Sequence, residues 1–172
     1  MIKLSAISQP DLTRYLRRKP PLVEGLLDPK LQVGPNGVDL TVRDVKRLDG
    51  IGEVGFTSSD RALPAATELE FDSGMLNLSQ GVYKVTYNEI VHIPLNMVAI
   101  ARPRSSLLRA GVTIETAVWD SGYRGRSESL LIVFNPAGFR LHKNARVVQL
   151  LFLKTTKKVP KGYGGIYQNE NL

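Results

Sequence analysis

The sequence contains no cysteine and only two histidines, His92 and His142. The lack of cysteine excludes disulfides, thiolate catalysis and every zinc site that needs a cysteine ligand. The two histidines lie far apart in the chain, and His92 is surrounded by apolar residues in IVHIPL, where a histidine usually has a structural role. Any chemistry must therefore come from carboxylates, hydroxyls, amides and cations.

Long apolar runs are also missing. No segment approaches the ~18 residues that a membrane-spanning helix requires, and the N-terminal stretch lacks the continuous apolar core of a signal peptide. With 42% hydrophobic and 23% charged residues, the chain has the composition of an ordinary globular protein. We expect a single domain over residues 1–172, a cytoplasmic location and no membrane partner.

The net charge of +7 and the pI of 9.8 leave several partners open. A basic balance fits a nucleic acid, a polyanionic small ligand or simply a solvated basic surface. No long basic run is interleaved with aromatic residues, so an extended nucleic-acid groove is not favoured.

The hydrophobic pattern predicts a mainly β protein. Ser8 followed by QPDLTRYL indicates one capped helix, within an N-terminal extension over residues 1–30. From residue 31 onward, short alternating or β-branched segments separated by turns indicate an all-β sandwich or barrel. The basic, Gly-rich segment 156–172 has little in its sequence to anchor it, and we expect a mobile C-terminal tail.

The segment PRSSLLRAG could hold phosphates. Arg104 and Arg109 can fork onto phosphate oxygens, while Ser105 and Ser106 supply hydroxyls and consecutive N–H groups. If Ser105 begins a helical turn, those N–H groups also point at an anion. The alternative is a short Ser-capped helix with exposed arginines.

The segment WDSGYRG places a carboxylate, Asp120, at the end of an apolar strand. Gly122 and Gly125 permit a tight turn there, and the carboxylate could activate a water molecule as a general base. Tyr123 could lay its ring against a sugar or a base. The alternative is an aspartate that only stabilises its own turn, beside an exposed tyrosine.

Together, these segments resemble the dUTPase and dCTP deaminase superfamily, and the resemblance covers most of the chain. GVDL at 37–40, PRSS at 103–106 and DSGYRG at 120–125 are similar to its first three motifs. NARVVQLLF at 144–152 resembles the fourth motif, and the Gly-Tyr tail stands where the fifth, lid-forming motif lies. The N-terminal helix and SSLLR look closest to the archaeal dUTPases of the deaminase branch.

This resemblance implies a distorted jelly-roll β-barrel that forms a homotrimer with active sites between subunits. The implied activity is the hydrolysis of dUTP to dUMP and pyrophosphate with Mg²⁺. Asp120 would activate the water that attacks the α-phosphorus, and Tyr123 would stack on the deoxyribose. Asp39 would help to fix Mg²⁺, through water.

The remaining roles also follow from the resemblance. The backbone near Ala117 would read the pyrimidine, and Gln149 would assist in binding the triphosphate. The phosphate-binding group of the second motif would be Arg104, Ser105, Ser106 and Arg109, and the lid residues would be Tyr163, Tyr167 and Gln168.

One position separates hydrolysis from deamination. The deaminases of this superfamily carry a glutamate ten residues beyond the motif-three aspartate, and this chain has Leu130 there. Glu128 lies two positions earlier on the same strand face and leaves a deaminase, or a bifunctional enzyme, as the alternative. A non-catalytic nucleotide-binding regulatory barrel and a basic nucleic-acid-binding barrel are the rival classes.

Overall fold

The structure is a computed structural model that describes residues 5–172. Its helices are short: Gln9–Leu16 (α1), Pro29–Gln32 (α2) and Ser105–Arg109 (α3), with a 3₁₀ turn at Ser58–Asp60. The strands are Ser5–Ala6 (β1), Val23–Glu24 (β2), Val38–Asp49 (β3), Ala65–Glu68 (β4), Met75–Leu78 (β5), Gly81–Tyr87 (β6), Ile90–His92 (β7), Met97–Pro103 (β8), Val112–Glu115 (β9), Arg124–Gly125 (β10), Glu128–Val133 (β11), Phe139–His142 (β12) and Arg146–Lys154 (β13).

The strands form three antiparallel sheets. The largest has eight strands, in the order β1-β13-β3-β6-β11-β9, with β4 added to β3 and β8 added to β13. A second sheet joins β10, β7 and β2, and a third joins β12 and β5. The prediction of an all-β, jelly-roll-like fold with a short N-terminal helix is confirmed.

A single apolar cluster fills the space between the sheets and extends from Ile7 to Phe152. Val38, Leu40 and Val42 of β3 are fully buried, because this strand lies between β13 and β6 near the middle of the large sheet. Leu12 of α1 is also fully buried, so the N-terminal helix packs on the same core. Helix α1 and the sheets therefore share one apolar core, and the single domain over residues 1–172 stays a prediction.

The N-terminal region differs from its prediction in two details. Ser8 does occupy the N-cap of α1, but its side chain makes no capping hydrogen bond. The second helix, α2, has only four residues, too few to show a helical period in the sequence. Its N-terminus is capped by Asp28, whose carboxylate accepts a hydrogen bond from the N–H of Lys30.

A fully buried carboxylate connects α2, β3 and the β6–β7 turn. Glu89 accepts hydrogen bonds from the Gln32 amide at 2.6 Å and from the N–H and hydroxyl of Thr41 at 2.9 and 2.6 Å. Burial raises the pKa of Glu89, and the hydrogen bonds from Thr41 and Gln32 counteract part of that rise. The donors satisfy the carboxylate, as a buried charge requires.

Candidate active site

The WDSGYRG segment forms a tight turn beside the start of β8. Trp119 and Ala99 exchange two backbone hydrogen bonds, at 2.9 and 3.0 Å, and Gly122 donates its N–H to the carbonyl of Ile93 at 2.8 Å. These bonds fix the turn while Asp120 stays exposed. No donor within residues 5–172 makes a hydrogen bond to the Asp120 carboxylate. The carboxylate is therefore available to a water molecule or a ligand.

Asp120 lines a pocket with a volume of about 610 Å³. The pocket lies between the motif-three turn, β11 and the segment that links β3 to β4. Ala117 and Tyr123 line it with Asp120, as do Tyr163 and Tyr167 of the tail. Half of the remaining lining residues are apolar, namely Leu48, Leu63, Pro64, Val118, Trp119 and Leu130, and the other half are polar or charged.

The ring of Tyr123 is held inside this pocket by polar contacts at its hydroxyl. That hydroxyl donates to Glu170 at 2.7 Å and lies 3.1 Å from the Ser127 hydroxyl, which also accepts a hydrogen bond from the indole N–H of Trp119. Tyr163 packs edge-on against the Tyr123 ring, with centroids 5.9 Å apart. Neither Ser127 nor Glu170 could be identified from the sequence, because no local pattern links them to Tyr123.

The C-terminal tail is attached to the motif-three turn by specific contacts. Tyr163 donates its N–H to the carbonyl of Ser121 at 2.7 Å. The Gln168 side chain accepts from the N–H of Arg124 and donates to the carbonyl of Gly122, both at 2.9 Å. The structure thus supplies anchors that the composition of residues 156–172 did not suggest.

The phosphate-binding residues predicted from PRSSLLRAG lie elsewhere. Ser105 and Ser106 open α3 and are exposed, and Leu107 anchors that helix in the core. Arg109 is exposed at the end of the helix, with only a long 3.4 Å contact to the carbonyl of Ser105. The predicted short helix starting at Ser105 is confirmed.

Arg104 belongs to a polar cluster with motifs one and four. Its Nε lies 3.3 Å from the Asp39 carboxylate, and Arg146 contacts the same oxygen at 3.3 Å. Gln149 is paired with Asp39 across β13 and β3 and with Arg102 across β13 and β8. Burial raises the pKa of Asp39, and Arg104 and then Arg146 counteract part of the rise. We call Asp39, Arg104, Arg146 and Gln149 the arginine cluster.

The two groups of predicted residues do not share a pocket in one chain. Trp119, next to Asp120, pairs with Ala99 of β8. Arg104 comes five residues after Ala99, so at ~3.3 Å per strand residue it lies about 16 Å from that pair. The structure therefore brings Ala117, Asp120, Tyr123, Tyr163 and Tyr167 together around one pocket. Arg104 and Gln149 meet in the arginine cluster, with Ser105, Ser106 and Arg109 on the adjacent helix.

The pocket itself is acidic. Its charged lining residues are four carboxylates and one ammonium group, namely Glu115, Asp120, Glu128, Glu170 and Lys84. No arginine of the described chain lines it. Apart from Lys84, no cationic side chain of residues 5–172 lines this pocket to balance the charge of a polyanionic ligand.

Glu128 forms ion pairs with two lysines. Lys84 contacts its carboxylate at 2.7 Å, and Lys46 lies 3.8 Å from it. Leu130, at the position of the deaminase glutamate, lines the pocket with an apolar side chain. The Glu128 carboxylate is thus engaged by cations of its own chain, and the deaminase position carries no carboxylate.

Among residues 5–172, no cluster of three or more histidine, cysteine, aspartate or glutamate side chains could hold a metal ion. Asp39 is engaged by two guanidinium groups. The side chains of residues 5–172 therefore do not form a complete metal site. A divalent ion bound here would take most of its ligands from water or from a substrate.

Fold and pocket define the class: an all-β barrel with an open carboxylate on the turn that follows the Ala99–Trp119 bridge, above an aromatic-lined pocket. Residues 6–155 match the family described as dCTP deaminase-like, and the chain belongs to that family. It is 52% identical over 169 residues to the Probable deoxyuridine 5'-triphosphate nucleotidohydrolase of Methanosarcina mazei, covering 98% of this chain and 99% of the relative. It is 39% identical over 140 residues to the Deoxyuridine 5'-triphosphate nucleotidohydrolase of Methanocaldococcus jannaschii, covering 80% and 87%.

A solved structure shows the same fold. The crystal structure of 2'-deoxycytidine 5'-triphosphate deaminase from Agrobacterium tumefaciens superposes with a TM-score of 0.67 at 21% identity. The match covers 88% of this chain and 48% of that one, so this chain spans about half the length of that structure. At this identity the likeness concerns the fold alone.

No helix that the structure describes between residues 5 and 172 has the length and apolar character to cross a membrane.

Proposed function

We propose that this chain is a dUTP nucleotidohydrolase that converts dUTP and water to dUMP and pyrophosphate. The observation that carries the proposal is the pocket in which an unoccupied carboxylate, Asp120, stands beside Tyr123 while Leu130 replaces the deaminase glutamate. The relatives named as deoxyuridine 5'-triphosphate nucleotidohydrolases support the same activity.

In the proposed reaction, Asp120 accepts a proton from a water molecule as the water oxygen attacks the α-phosphorus. The bond from the α-phosphorus to the bridging oxygen breaks, and that oxygen leaves with the pyrophosphate. The exposed position of Asp120 suits this role, since no donor from the described part of the chain, residues 5–172, competes for its oxygens. Tyr123 holds the deoxyribose, and the backbone near Ala117 lies along the pocket wall where a pyrimidine edge can be read.

The triphosphate is held by a second copy of the chain in this proposal. Arg104, Arg109, Ser105 and Ser106 form a basic surface on and beside α3, with Gln149 nearby in the adjoining sheet. Because the pocket of one chain is acidic, a homotrimer in which each pocket faces a neighbour's basic surface would neutralise the substrate. Closed cyclic assemblies repeat such a heterologous interface at every site.

Mg²⁺ is proposed to enter with the triphosphate. Mg²⁺ keeps several water ligands and is bound mainly through substrate phosphates, so one nearby carboxylate is sufficient. Asp39 would provide it through water, and the ion would neutralise charge on the phosphates. Because two arginines already contact Asp39, a direct Asp39–metal bond is not part of the proposal.

The lid is formed by Tyr163, Tyr167 and Gln168. Tyr163 and Tyr167 line the pocket, and Gln168 fastens the tail to the turn. Arg61 lies over the ring of Tyr167, at 5.7 Å from the centroid, so the segment that links β3 to β4 also supports the lid. This packing places the tail on the pocket of its own chain.

The test is to incubate the protein with dUTP or dCTP and Mg²⁺ and to follow pyrophosphate, ammonia and the nucleotide products. Pyrophosphate and dUMP from dUTP are the expected result, and Asp120→Asn should abolish turnover while nucleotide still binds. Ammonia from dCTP would favour the deaminase or bifunctional alternative. Nucleotide binding without any turnover would favour a regulatory barrel. Strong DNA binding at physiological salt would favour a nucleic-acid-binding protein.

A further inference from the structure

Glu170 lies in the C-terminal tail, 50 positions after Asp120, yet its backbone is fixed beside the motif-three turn. Its carbonyl accepts a hydrogen bond from the N–H of Arg126 at 3.0 Å. The preceding residue, Asn169, donates its N–H to the carbonyl of Arg124 at 2.7 Å. These two bonds flank Gly125, which is paired with Glu170 in a parallel bridge. The tail therefore acts as a short added strand on β10.

The close approach depends on glycine at two places. A Cβ atom on Gly125 would lie 2.7 Å from the Tyr123 hydroxyl and 3.1 Å from Cγ of Glu170. A Cβ atom on Gly122 would lie 2.6 Å from Cα of Gly162 in the tail. The motif-three glycines thus serve the tail as well as the turn, because they leave room for the tail backbone and for the Glu170 side chain.

The Glu170 side chain ends a chain of hydrogen bonds inside the pocket. The Trp119 indole N–H donates to the Ser127 hydroxyl, which lies 3.1 Å from the Tyr123 hydroxyl, and that hydroxyl donates to Glu170 at 2.7 Å. Each contact connects a pocket-lining side chain to the next, and Glu170 is the only member from the tail. We call these four residues the tyrosine network.

The surroundings of Glu170 disfavour a carboxylate. Burial raises the pKa of Glu170, Glu128 raises it further, and Tyr123 and Lys84 counteract the rise. A neutral side chain would be easier to accommodate if the tail needed only to pack. A partly buried carboxylate beside another carboxylate, in a pocket, is typical of a functional position.

We propose that Glu170 is a positioning residue for the nucleoside pocket, which fixes the ring of Tyr123 when the tail docks. The inference rests on the proposed function, since it is through Tyr123 that the sugar of the substrate would be held. Without Glu170, the hydroxyl of Tyr123 keeps only its contact with Ser127, so the ring loses one of the two polar contacts that fix its orientation. When the tail docks, Glu170 reaches the Tyr123 hydroxyl, so docking of the tail also fixes the orientation of the Tyr123 ring in the same chain.

Four variants and a control test the role in substrate binding. Glu170→Ala and Tyr123→Phe should each raise KM for dUTP about tenfold or more with kcat little changed, because each loses the charge-assisted hydrogen bond between Tyr123 and Glu170; Tyr123→Phe also loses the contact with Ser127. The double variant should be no worse than Tyr123→Phe alone, since both changes remove the same bond. Glu170→Gln keeps an acceptor oxygen and should recover most of the loss. Glu68→Ala, an exposed glutamate on β4, is the matched control and should behave as the unmodified protein.

A second readout does not depend on activity. Trp119 is the only tryptophan, and its indole N–H belongs to the tyrosine network, so its fluorescence reports on the network in the free protein. Emission should change in Glu170→Ala and Tyr123→Phe but not in Glu68→Ala. Amide hydrogen exchange at Tyr163 and Asn169, whose N–H groups bond to the turn, should accelerate in the same two variants.

The outcomes separate this inference from the proposed function. Active protein with an unchanged KM in Glu170→Ala would overturn the positioning role and leave dUTP hydrolysis intact. Absence of dUTP hydrolysis in the unmodified protein, with the expected fluorescence and exchange changes, would overturn the proposed function and support the network. Additive losses in the double variant would show that Glu170 acts on something other than Tyr123, against the inference.

Discussion

Mixing two inactive variants should restore activity if the active site is divided between subunits. The first variant, Asp120→Asn, removes the proposed base from the acidic pocket. The second, Arg104→Ala, weakens the basic surface that is proposed to hold the triphosphate. Asp39 retains Arg146 at 3.3 Å in the second variant, so the arginine cluster is not left with an unpaired carboxylate.

The expected magnitude follows from the separation of the two groups. A complete site needs the intact pocket of one chain and the intact basic surface of its neighbour. In random trimers from an equal mixture, each requirement would be met about half the time, so about one quarter of all sites would be complete; in trimers that contain both chains the fraction rises to about one third. Loss of a general base alone costs about 10²–10⁴-fold in rate, so the restored activity would stand far above either variant alone.

The assay is dUTP hydrolysis by trimers that contain both variants. Co-expression with two different affinity tags, followed by sequential purification on both, selects trimers that contain both chains. Each variant alone, carried through the same procedure, supplies the background. In a site built within one chain, every site in the mixture carries one defect, and activity would stay at that background. A mixture with no more activity than its parts would therefore refute the intersubunit arrangement.

Three further predictions concern single residues. Gly122→Ala should lower dUTP hydrolysis at least about tenfold and expose the tail to proteolysis, because φ at Gly122 is +87° and the new Cβ meets the backbone of Gly162; unchanged kcat/KM and cleavage would contradict this. The unmodified protein should release no ammonia from dCTP, and Leu130→Glu is the variant in which any release should first appear; ammonia release by the unmodified protein would be the contrary result. The pKa of Glu89 in the folded protein is raised above the ordinary 4.5, so the folded state holds this proton more tightly than the unfolded state does. The contribution of Glu89 to the free energy of unfolding should therefore fall as the pH rises from about 4.5 through the folded pKa. Urea unfolding from pH 4 to 7 should show that fall for the unmodified protein and less of it for Glu89→Gln; identical pH profiles would refute the assignment to Glu89.

Local sequence patterns predicted those parts of the molecule that depend on neighbours in the chain. Alternation in Val38, Leu40 and Val42 predicted the central strand, and Ser105 predicted the start of a short helix; both are observed. The glycines of WDSGYRG predicted the turn at Asp120, but the apolar strand before it ends at Glu115 and not at Asp120 as expected. The pocket that this turn lines is observed, while the roles of its residues remain predictions.

The parts that could not be predicted depend on distant partners. Glu170 and Ser127 reach Tyr123 only because the tail returns to β10, and a basic, Gly-rich tail gives no periodic signal for that return. Arg146 was visible within the fourth motif, but its ion pair with Asp39 arises from the pairing of β13 with β3. Long-range pairing of this kind is decided by the whole fold, so composition and spacing do not reveal it.

The buried glutamate at the β6–β7 turn has a consequence for how the chain selects its fold. Glu89 receives the backbone N–H of Thr41 and the Gln32 amide, from segments 48 and 57 residues away. If β3 slipped by one residue, its side chains would exchange faces, and the carboxylate would lose the Thr41 donors in an apolar interior. Such a slip would destabilise the fold for two reasons: hydrophobic side chains would be exposed, and a carboxylate would be buried without its hydrogen-bond donors. Glu89 therefore favours the native register of β3, because its hydrogen bonds with Thr41 form only when the barrel is correctly assembled.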